Sequence, residues 1–457
     1  MRKKYLQKSI CFLFPLFFCA CSYTYKDAPL YEQLNYTSEV TQAYVADKEW
    51  WKAYNNTELN QLVSLALQNN TDLAKSALNI QRAMYQARLS GLNLFPTLGG
   101  TTAASTNKDL KNGSNWHNSF SGELNLNYEL DLWGKIHDAA DAAKWEHQAT
   151  IYDLENIRLA LINSIVDVYY NLTYLHNATQ ITQENLHNYK NIEEIIRLKF
   201  TSGKIDELEL LQIRQTIINT ENTLATYRLQ IQENERVLRE LLNVKPDYTL
   251  SIQYPNMLTI HALGVNLNIP LAVLAERPDL KASEARLQKA FKSLRASSKN
   301  WYPSVSLRAL VASSADQIAN ALDFPFAFGS VSINLPFLDW NRVYTNIKIS
   351  ETEYETARLD FQFTINTALN EVAYYYYAYE NAQGQLANLN AKYATDLQIV
   401  SLYQLRYSSG KIEFRSLLDS IIAKNISQIS LLNNNYQLIK YENMVYKAMA
   451  GRYTFVK

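Results

Sequence analysis

Apolar and polar side chains alternate along three stretches of this chain, a pattern typical of β-strands with one apolar and one polar face. The stretches cover residues 120–130, 305–311 and 331–335. A period of two predicts a strand at each of them. Residues 97–105, rich in Thr, Gly and Ala, provide a fourth and weaker candidate. Turn-rich segments separate the strands of each pair, so the sequence predicts two β-hairpins.

Much longer segments carry the pattern of helices. Residues 135–200 contain neither Pro nor Gly, and residues 341–407 contain only Gly384. About 65 residues of helix would span about 100 Å at a rise of about 1.5 Å per residue, which is too long for a compact domain. The first segment also has apolar residues at coiled-coil spacing. They are Leu154, Leu161, Ile165, Val168, Leu172 and Leu175.

Each long helix leads into a Ser-Gly-Lys-Ile turn and then into another apolar-periodic segment. The turns lie at residues 202–205 and 409–412. Gly tolerates the left-handed backbone that ends many helices. We therefore predict two antiparallel helical hairpins with tips at Gly203 and Gly410. A single shorter helix over residues 62–87, ended by Phe95-Pro96, is predicted to precede the first β-hairpin.

These elements occur twice along the chain. An Asp, a Pro, a Trp and a Gly recur at one constant separation, because 279−72, 303−96, 340−133 and 410−203 all equal 207. Solenoid repeats are about 20–50 residues long, so this spacing indicates a duplicated domain-sized unit. The two tryptophans, Trp133 and Trp340, stand where strand gives way to helix. They either anchor the chain at a membrane interface or pack that corner.

The first residues predict export from the cytoplasm. A basic start, Met-Arg-Lys-Lys, leads into an apolar stretch of about 11 residues, which is the pattern of a signal peptide. Cys21 follows Cys19-Ala20 and precedes Ser22, an arrangement that resembles a bacterial lipobox. We expect Cys21 to be lipidated as the mature N-terminus. A plain signal peptide that leaves Cys21 as a free thiol is the alternative.

The chain thus divides into four predicted parts. They are a lipoprotein signal peptide at 1–20, a lipid-anchored segment at 21–57, a first repeat at 58–264 and a second repeat at 265–457. In the first repeat we place a β-hairpin at about 96–132, a helical hairpin at about 134–243 and a linker to 264. The corresponding hairpins of the second repeat are placed at about 303–339 and 341–449.

Charge and chemical motifs exclude several function classes. The chain has 44 Lys plus Arg and 44 Asp plus Glu, with no long basic block, which argues against a nucleic-acid partner. The six His include no pair at metal-ligand spacing on one helical face. Phosphate-binding glycine loops and serine nucleophile motifs are also missing from the sequence. We predict no enzymatic activity, no metal site and no cofactor beyond a covalent lipid on Cys21.

After residue 21 no apolar run approaches the length of about 18 residues that suggests a transmembrane helix. A membrane crossing would then require strands closed into a barrel. Membrane barrels begin at about eight strands, whereas this chain provides four. Other copies would have to complete the barrel.

Several short motifs follow one another in order along nearly the whole mature chain. They are Glu49-Trp50-Trp51-Lys52, Asn69-Asn70-Thr71-Asp72-Leu73, Leu94-Phe95-Pro96, Tyr128-Glu129-Leu130-Asp131-Leu132-Trp133-Gly134, Glu276-Arg277-Pro278-Asp279-Leu280, Trp301-Tyr302-Pro303-Ser304 and Leu335-Pro336-Phe337-Leu338-Asp339. In order and spacing they resemble the TolC-like outer-membrane efflux factors. The likeness is greatest to the lipoprotein branch that serves resistance-nodulation-division pumps.

The resemblance implies a mainly α fold with a membrane β-barrel. A duplicated unit of long coiled-coil helical hairpin plus β-hairpin would form a homotrimer, with a 12-stranded barrel on an α-helical periplasmic tunnel. The implied function is that of the exit duct of a tripartite efflux pump, working with a periplasmic adaptor and an inner-membrane transporter. The implied location is the outer membrane, with a lipid anchor and an extension into the periplasm.

The resemblance also implies a gate near the periplasmic tips. Asp419, nine positions beyond Gly410, matches an inward-facing carboxylate that three-fold symmetry would turn into a ring. The alternative is a solvated Asp419 paired with Arg415 four residues earlier. Tyr407 matches a tyrosine that bonds to a neighbouring hairpin in the closed state, or it is one more packed aromatic residue.

One departure from the family pattern concerns the bonding of that closed state. Ile412 stands where the family often has an Arg two residues after the tip glycine, and Lys411 or Arg415 are candidates to replace it. Gly203 with Lys204 and Gly410 with Lys411 mark the expected adaptor-facing tips. The glycines are equally explained by the needs of any helical hairpin.

Two other functions remain open from the sequence. An exit duct for protein secretion shares the same architecture. A coiled-coil envelope lipoprotein without a channel is the other alternative, although the alternation over residues 120–130 counts against it.

Overall fold

The computed structural model describes residues 44–108, 110–111, 115–265, 271–320 and 322–455. The predicted signal peptide and Cys21 lie outside these residues. The described chain divides into two compact units. The first contains Leu89–Ala142 and Gln288–Thr356, and the second contains the chain up to Arg88 together with Ala143–Leu287 and the residues from Ala357 onward.

Within the described residues the chain forms seven α-helices and six strands. In chain order they are β1 (Tyr44–Asp47), α1 (Thr57–Asn69), α2 (Thr71–Leu92), β2 (Thr97–Asn107), β3 (His117–Leu130), α3 (Lys135–Thr201), α4 (Glu207–Leu242), α5 (Pro278–Ser298), β4 (Ser304–Ala315), β5 (Phe326–Asn334), α6 (Trp340–Ser408), α7 (Phe414–Ala448) and β6 (Arg452–Phe455). None of the described helices combines the length and the apolar composition needed to cross a bilayer.

The single helix predicted before the first β-hairpin is wrong, because Asn70 divides it into α1 and α2. Asn70 has an extended backbone, with φ −66° and ψ 123°. Its side-chain oxygen accepts hydrogen bonds from the backbone N–H groups of Asp72 (2.9 Å) and Leu73 (3.1 Å). An Asn side chain that satisfies the free N–H groups of a first turn is a typical helix N-cap. The apolar period continues across the break, so periodicity alone did not reveal it.

The first unit is built around a four-stranded antiparallel sheet with strand order β2-β3-β4-β5. Its register pairs Gly99 with Asn125, Asn125 with Leu310, and Leu310 with Phe328. One face is apolar along β3 and β4, with Leu124 opposite Val311. The other face carries the polar residues of β3. They are Ser121, Glu123, Asn125, Asn127 and Glu129.

The strand that looked weak in the sequence, β2, pairs with β3 over its full length, from Thr97 opposite Asn127 to Asn107 opposite His117. Two of its small residues leave space for β3. A Cβ at Gly99 would lie 2.7 Å from Asn125 Oδ1, and one at Gly100 would lie 3.0 Å from Leu124 Cδ2. Strand formation here depends on cross-strand neighbours more than on the residues' own preferences.

The corner where β3 turns into α3 is braced by residues from the second repeat. Lys299 Nζ donates to the carbonyl oxygen of Gly134 (2.9 Å) and to Asp138 Oδ2 (2.5 Å). Trp133 Nε1 donates to the carbonyl oxygen of Pro303 (2.7 Å), and its ring stacks on Tyr302. Of the two roles considered for Trp133, packing of the corner is the one seen in these contacts.

The second unit has an apolar core in which the two repeats meet. Fully buried side chains from α1, α3, α4 and α7 line it. They include Leu59, Ala66, Ile165, Tyr169, Leu172, Leu238, Leu242 and Leu432. Two buried amides join the repeats there, since Asn163 Nδ2 donates to the Asn443 carbonyl oxygen (3.0 Å) and Asn443 Nδ2 donates to the Asn163 carbonyl oxygen (3.1 Å).

A two-stranded sheet that the sequence analysis missed also belongs to the second unit. In it β1 pairs with β6, with Asp47 opposite Arg452. The residues after β1 continue into the core, where Trp50 has no exposed surface and its Nε1 donates to Asn443 Oδ1 (3.0 Å). Strands of four residues carry too little alternation to be detected by period.

Candidate functional site

The two helical hairpins end in turns with the same geometry. Gly203 has φ +69° and Gly410 has φ +68°, the left-handed region that suits glycine. Each glycine N–H donates to a carbonyl oxygen three residues earlier, Phe200 at 2.9 Å and Tyr407 at 3.0 Å. The lysine after each glycine bonds five residues back. This pair of bonds is the Schellman motif that satisfies the last carbonyl groups of a helix.

Apart from the glycine and its two chain neighbours, no atom of the described residues lies within 4 Å of the place where a Cβ would stand at either tip glycine. The backbone conformation alone therefore requires Gly203 and Gly410. Lys204 and Lys411 are both exposed beside them. Each tip thus places one exposed lysine directly after the glycine of its turn.

The helices that leave the tips start differently in the two repeats. Asp206 caps α4, because its Oδ1 accepts from the backbone N–H of Leu208 (2.9 Å). Glu413 stands at the equivalent place, 207 residues later, and makes no side-chain capping bond to α7. A carboxylate at the start of a helix is favourable to the helix dipole in both cases.

Tyr407, near the end of α6, is held by the first repeat. Lys199 Nζ, from α3, donates to Tyr407 Oη at 3.2 Å and lies 4.7 Å from the centre of its ring. The hydroxyl group of Tyr407 also lies near Glu209 at the start of α4 and favours the ionised form of its carboxylate. Its ring packs 5.7 Å from that of Phe414, which is buried at the start of α7. Tyr407, which belongs to α6, therefore connects that helix to α3 through Lys199 and to α7 through Phe414.

Glu209 has an unusual environment for a carboxylate. Burial raises the pKa of Glu209, and the nearby carboxylates of Asp206 and Glu413 add to that rise. The charge of Lys199 and the hydrogen bond from Tyr407 act in the opposite direction. Among the described residues no group hydrogen-bonds to the buried Oε2 of Glu209.

Asp419 and Arg415 form a separate pair on α7. Arg415 Nε lies 2.8 Å from Asp419 Oδ2, and both side chains are about half exposed, at 56% and 52%. The pair of Asp419 with Arg415, which the sequence analysis gave as the alternative to an acidic ring, is thus present within one chain. An exposed pair at this spacing contributes only a few tenths of a kcal/mol, about 0.3–0.5. Asp419 remains accessible to water and ions.

The structure thus separates the predicted gate residues into two groups. Tyr407 lies with Lys199 and Glu209, whereas Arg415 lies with Asp419. The sequence analysis missed Lys199 and Glu209. A signal was present for Lys199, because it stands four residues before the tip glycine, and Arg406 stands four residues before the second one.

In the described part of the chain, no group of three or more His, Cys, Asp or Glu side chains comes together in a way that would hold a metal ion. The candidate lipidation residue, Cys21, lies outside the described residues.

Comparison with known protein families finds a match along most of the chain. The family model for outer membrane efflux proteins matches twice, over residues 62–244 and 269–451. The two matches are offset by 207 residues at both ends, since 269−62 and 451−244 both equal 207. This offset is the one found between the internal repeats.

A similar protein is the toxin and drug export protein A of Aggregatibacter actinomycetemcomitans, which is 41% identical over 92% of each chain. Two solved structures share the fold. The CmeC outer membrane channel of Campylobacter jejuni has a TM-score of 0.80 at 24% identity, over 89% of this chain and 88% of that one. The outer membrane protein VceC of Vibrio cholerae has a TM-score of 0.81 at 22% identity, over 89% and 99%.

These matches confirm the predicted fold class and the resemblance drawn from the motifs. The family model covers both repeats, and the solved structures cover most of the described elements. This chain belongs to the outer membrane efflux protein family.

Proposed function

We propose that three copies of this protein form the outer-membrane exit duct of a tripartite efflux pump. Three four-stranded sheets would close into a 12-stranded barrel, and the helical hairpins would form a tunnel into the periplasm. An inner-membrane transporter would supply the energy, and a periplasmic adaptor would deliver the substrate. The duct itself would conduct passively.

The sheet of the first unit is the observation that carries this proposal. It has an apolar face suited to lipid, a polar face suited to water, and two edge strands with no neighbour in the described chain. A bilayer requires every backbone polar group to be paired, so such a sheet can enter a membrane only when its edges are closed. Four strands from each of three copies fulfil that requirement.

The tips supply the proposed gate. In a trimer, Asp419 would occur three times around one axis and would attract cations at the narrow end of the tunnel. Arg415 would reduce that charge while it remains paired with Asp419. Tyr407, held by Lys199 and Glu209, would keep the two hairpins of one chain together in the closed state. The exposed tips at Gly203, Lys204, Gly410 and Lys411 would contact the adaptor.

Two further parts of the proposal concern location and cargo. Lipidation of Cys21 would anchor the N-terminus to the outer membrane. The similar protein from Aggregatibacter actinomycetemcomitans is named for the export of toxin and drug, which supports organic substrates here. An exit duct for secreted protein is the second candidate, and a coiled-coil spacer without a channel is disfavoured by the two-faced sheet.

The test is the conductance of the purified protein in planar bilayers, with native protein compared to Asp419→Ala. We expect small cation-selective currents from the native trimer, and at least about a twofold loss of cation selectivity in the variant, because the ring carries the fixed charge at the constriction. Asp247→Ala, an exposed carboxylate far along the chain from the tips, should behave as native.

The outcomes separate the parts of the proposal. Conductance with unchanged selectivity in Asp419→Ala would refute the gate and leave the duct. A protein that neither assembles nor conducts would refute the duct and favour the spacer.

A further inference from the structure

The polar face of the four-stranded sheet carries an apolar patch. The register of β5 places Phe326 and Phe328 on the same face as Glu123 and Asn125 of β3. The two phenylalanines are 64% and 59% exposed. Leu310, on β4, lies beside Phe328 on that face. We call these three residues, Leu310, Phe326 and Phe328, the aromatic patch.

The aromatic patch lies at the end of the sheet away from the long helices. Strand β5 starts at Phe326 and runs towards α6, which begins at Trp340. Strand β3 likewise runs towards α3 and ends at Leu130. In the proposed duct the polar face would line the lumen. The aromatic patch would then lie on the inner wall of the barrel, near its outer opening.

The surroundings of the patch on β5 are polar. The later residues of this strand that share the face are Ser330, Ser332 and Asn334. Exposed apolar groups rimmed by polar residues are typical of surfaces that bind a ligand or a partner. The two rings therefore indicate a contact for an apolar ligand on a wall that otherwise suits water.

A carboxylate stands beside the aromatic patch. Glu123 lies in the same cross-strand row as Phe326, two strands away, which is a separation of about 10 Å between backbones. Its Oε1 accepts hydrogen bonds from Arg308 Nη2 (3.0 Å) and from Asn125 Nδ2 (3.2 Å). These bonds hold the carboxylate in place on the polar face.

The charge of this face favours a cation. Its Asp, Glu, Lys and Arg residues within β2 to β5 are Glu123, Glu129 and Arg308. Two carboxylates and one guanidinium leave one net negative charge per copy. The faces of aromatic rings also attract cations. A ligand that combines apolar groups with a positive charge would therefore complement both the rings and the carboxylates.

We propose that the aromatic patch and Glu123 form a binding site for amphipathic organic cations on the lumenal wall of the barrel. The rings of Phe326 and Phe328 contact the apolar body of the cation, and the carboxylate attracts its charge. The inference rests on the proposed duct. It adds a site at which cargo of this chemical class binds before it leaves the outer opening.

Block of the current in planar bilayers tests the site. The probe is tetraphenylphosphonium, a cation whose apolar part consists of phenyl rings, added to each side in turn. We expect it to reduce the current of native protein. In Phe326→Gln/Phe328→Gln the half-blocking concentration should rise at least about tenfold, which corresponds to about 1.4 kcal/mol of lost binding.

A second probe separates the rings from the charge. Tetraethylammonium has the same charge and no aromatic ring, so it should block native protein at least about tenfold more weakly than tetraphenylphosphonium. In Glu123→Gln the half-blocking concentration of tetraphenylphosphonium should rise about threefold or more, because the carboxylate charge is lost and Arg308 stays positive.

The matched control is Ser330→Gln/Ser332→Gln, on the same strand and the same face but outside the aromatic patch. Its half-blocking concentration should stay within about twofold of the native value. A further variant, Phe326→Leu/Phe328→Leu, keeps apolar side chains for strand packing and removes the rings. Its half-blocking concentration should rise at least about threefold, so the test does not depend on assembly of the glutamine variant.

Two results would overturn the binding site. They are a native half-blocking concentration in the leucine variant, and equal block of native protein by the two cations. Native conductance that tetraphenylphosphonium does not reduce would also contradict the site, while it leaves the duct intact. A native protein that neither assembles nor conducts would instead contradict the proposed function, so the two failures are distinguishable.

Discussion

Glu442 is a carboxylate with no exposed surface in the core of the second unit. Its Oε2 accepts from Tyr54 Oη (2.7 Å), and its Oε1 accepts from the backbone N–H of Gly264 (2.6 Å). Burial raises the pKa of Glu442, and these hydrogen bonds offset only part of that rise. Glu442, on α7, thus connects this helix to Tyr54, which follows β1, and to Gly264 in the linker. Burial makes the ionised form of its carboxylate less stable than it would be in water.

The raised pKa of Glu442 predicts how the stability of the fold depends on pH. In the unfolded chain Glu442 titrates near 4.5, its ordinary value. Its contribution to stability is therefore fully present below about pH 4.5 and is lost as pH rises through the higher pKa of the folded state. Glu442→Gln removes this titration. We expect its melting temperature to gain a few degrees relative to native protein between pH 4.5 and pH 7.5.

The measurement is thermal unfolding followed by circular dichroism across that pH range. Asp247→Asn, an exposed carboxylate, serves as the control and should keep the native pH dependence. If Glu442→Gln retained the same pH dependence as native protein, burial would not be the cause of the effect.

At the scale of elements, the junction between the sheet and α3 depends on one buried carboxylate. The side chain of Asp138 is 2% exposed, and its oxygens lie 2.5 Å from Lys299, 3.3 Å from Arg295 and 3.7 Å from Lys292. All three cations come from α5 and the residues that follow it. One buried anion therefore fixes where the second repeat meets the beginning of α3.

Asp138→Asn should destabilise this junction by about 1.5–3 kcal/mol, because it removes the buried charge bonded to Lys299 and Arg295, while Lys292 keeps its pair with Asp141. Hydrogen exchange measured by mass spectrometry should show faster exchange over residues 131–141. Asp339→Asn is a suitable control, since its pair with Arg342 is exposed, at 56% and 79%. Equal protection in native protein and Asp138→Asn would contradict the prediction.

The elements also indicate how far sequence reasoning extends. Alternation and long Pro-free segments were enough to predict β3, β4, β5 and the helical hairpins, because each of these elements shows its period within one segment. The division at Asn70, the full length of β2 and the pairing of β1 with β6 depend on side-chain capping or on partners far along the chain. Local periodicity contains no information about such partners.

The same distinction applies to the tips. Gly203 and Gly410 could be predicted because a turn needs a positive φ locally. The contact of Lys199 with Tyr407 spans 208 residues of sequence, so only the packed repeats reveal it. Within the described chain Tyr407 is contacted by Lys199 from the other repeat, whereas Arg415 pairs with Asp419.

At the scale of the whole molecule, Lys199 should influence whether the proposed duct is closed. Lys199→Gln removes the charge that holds Tyr407 through its hydroxyl group and its ring. We expect about a threefold to tenfold increase in open probability in planar bilayers, because a hydrogen bond to a charged group is worth about 1.5–3 kcal/mol and neighbouring contacts make up part of the loss.

Lys204→Gln is the matched control, because Lys204 is an exposed lysine on the same tip. Tyr407→Phe should resemble Lys199→Gln, since it removes the hydroxyl group that accepts the hydrogen bond from Lys199. Unchanged currents in both Lys199→Gln and Tyr407→Phe would show that this contact does not hold the closed state.

The pairing of β1 with β6 has a consequence for how the protein is made. Synthesis runs from the N-terminus, so β1 leaves the ribosome several hundred residues before its partner, Arg452–Phe455. A chain that ends before Arg452 leaves β1 without a partner, as an open strand available to proteases and to other unfolded chains. Closure of this small sheet therefore distinguishes chains that contain Arg452–Phe455 from chains truncated before it.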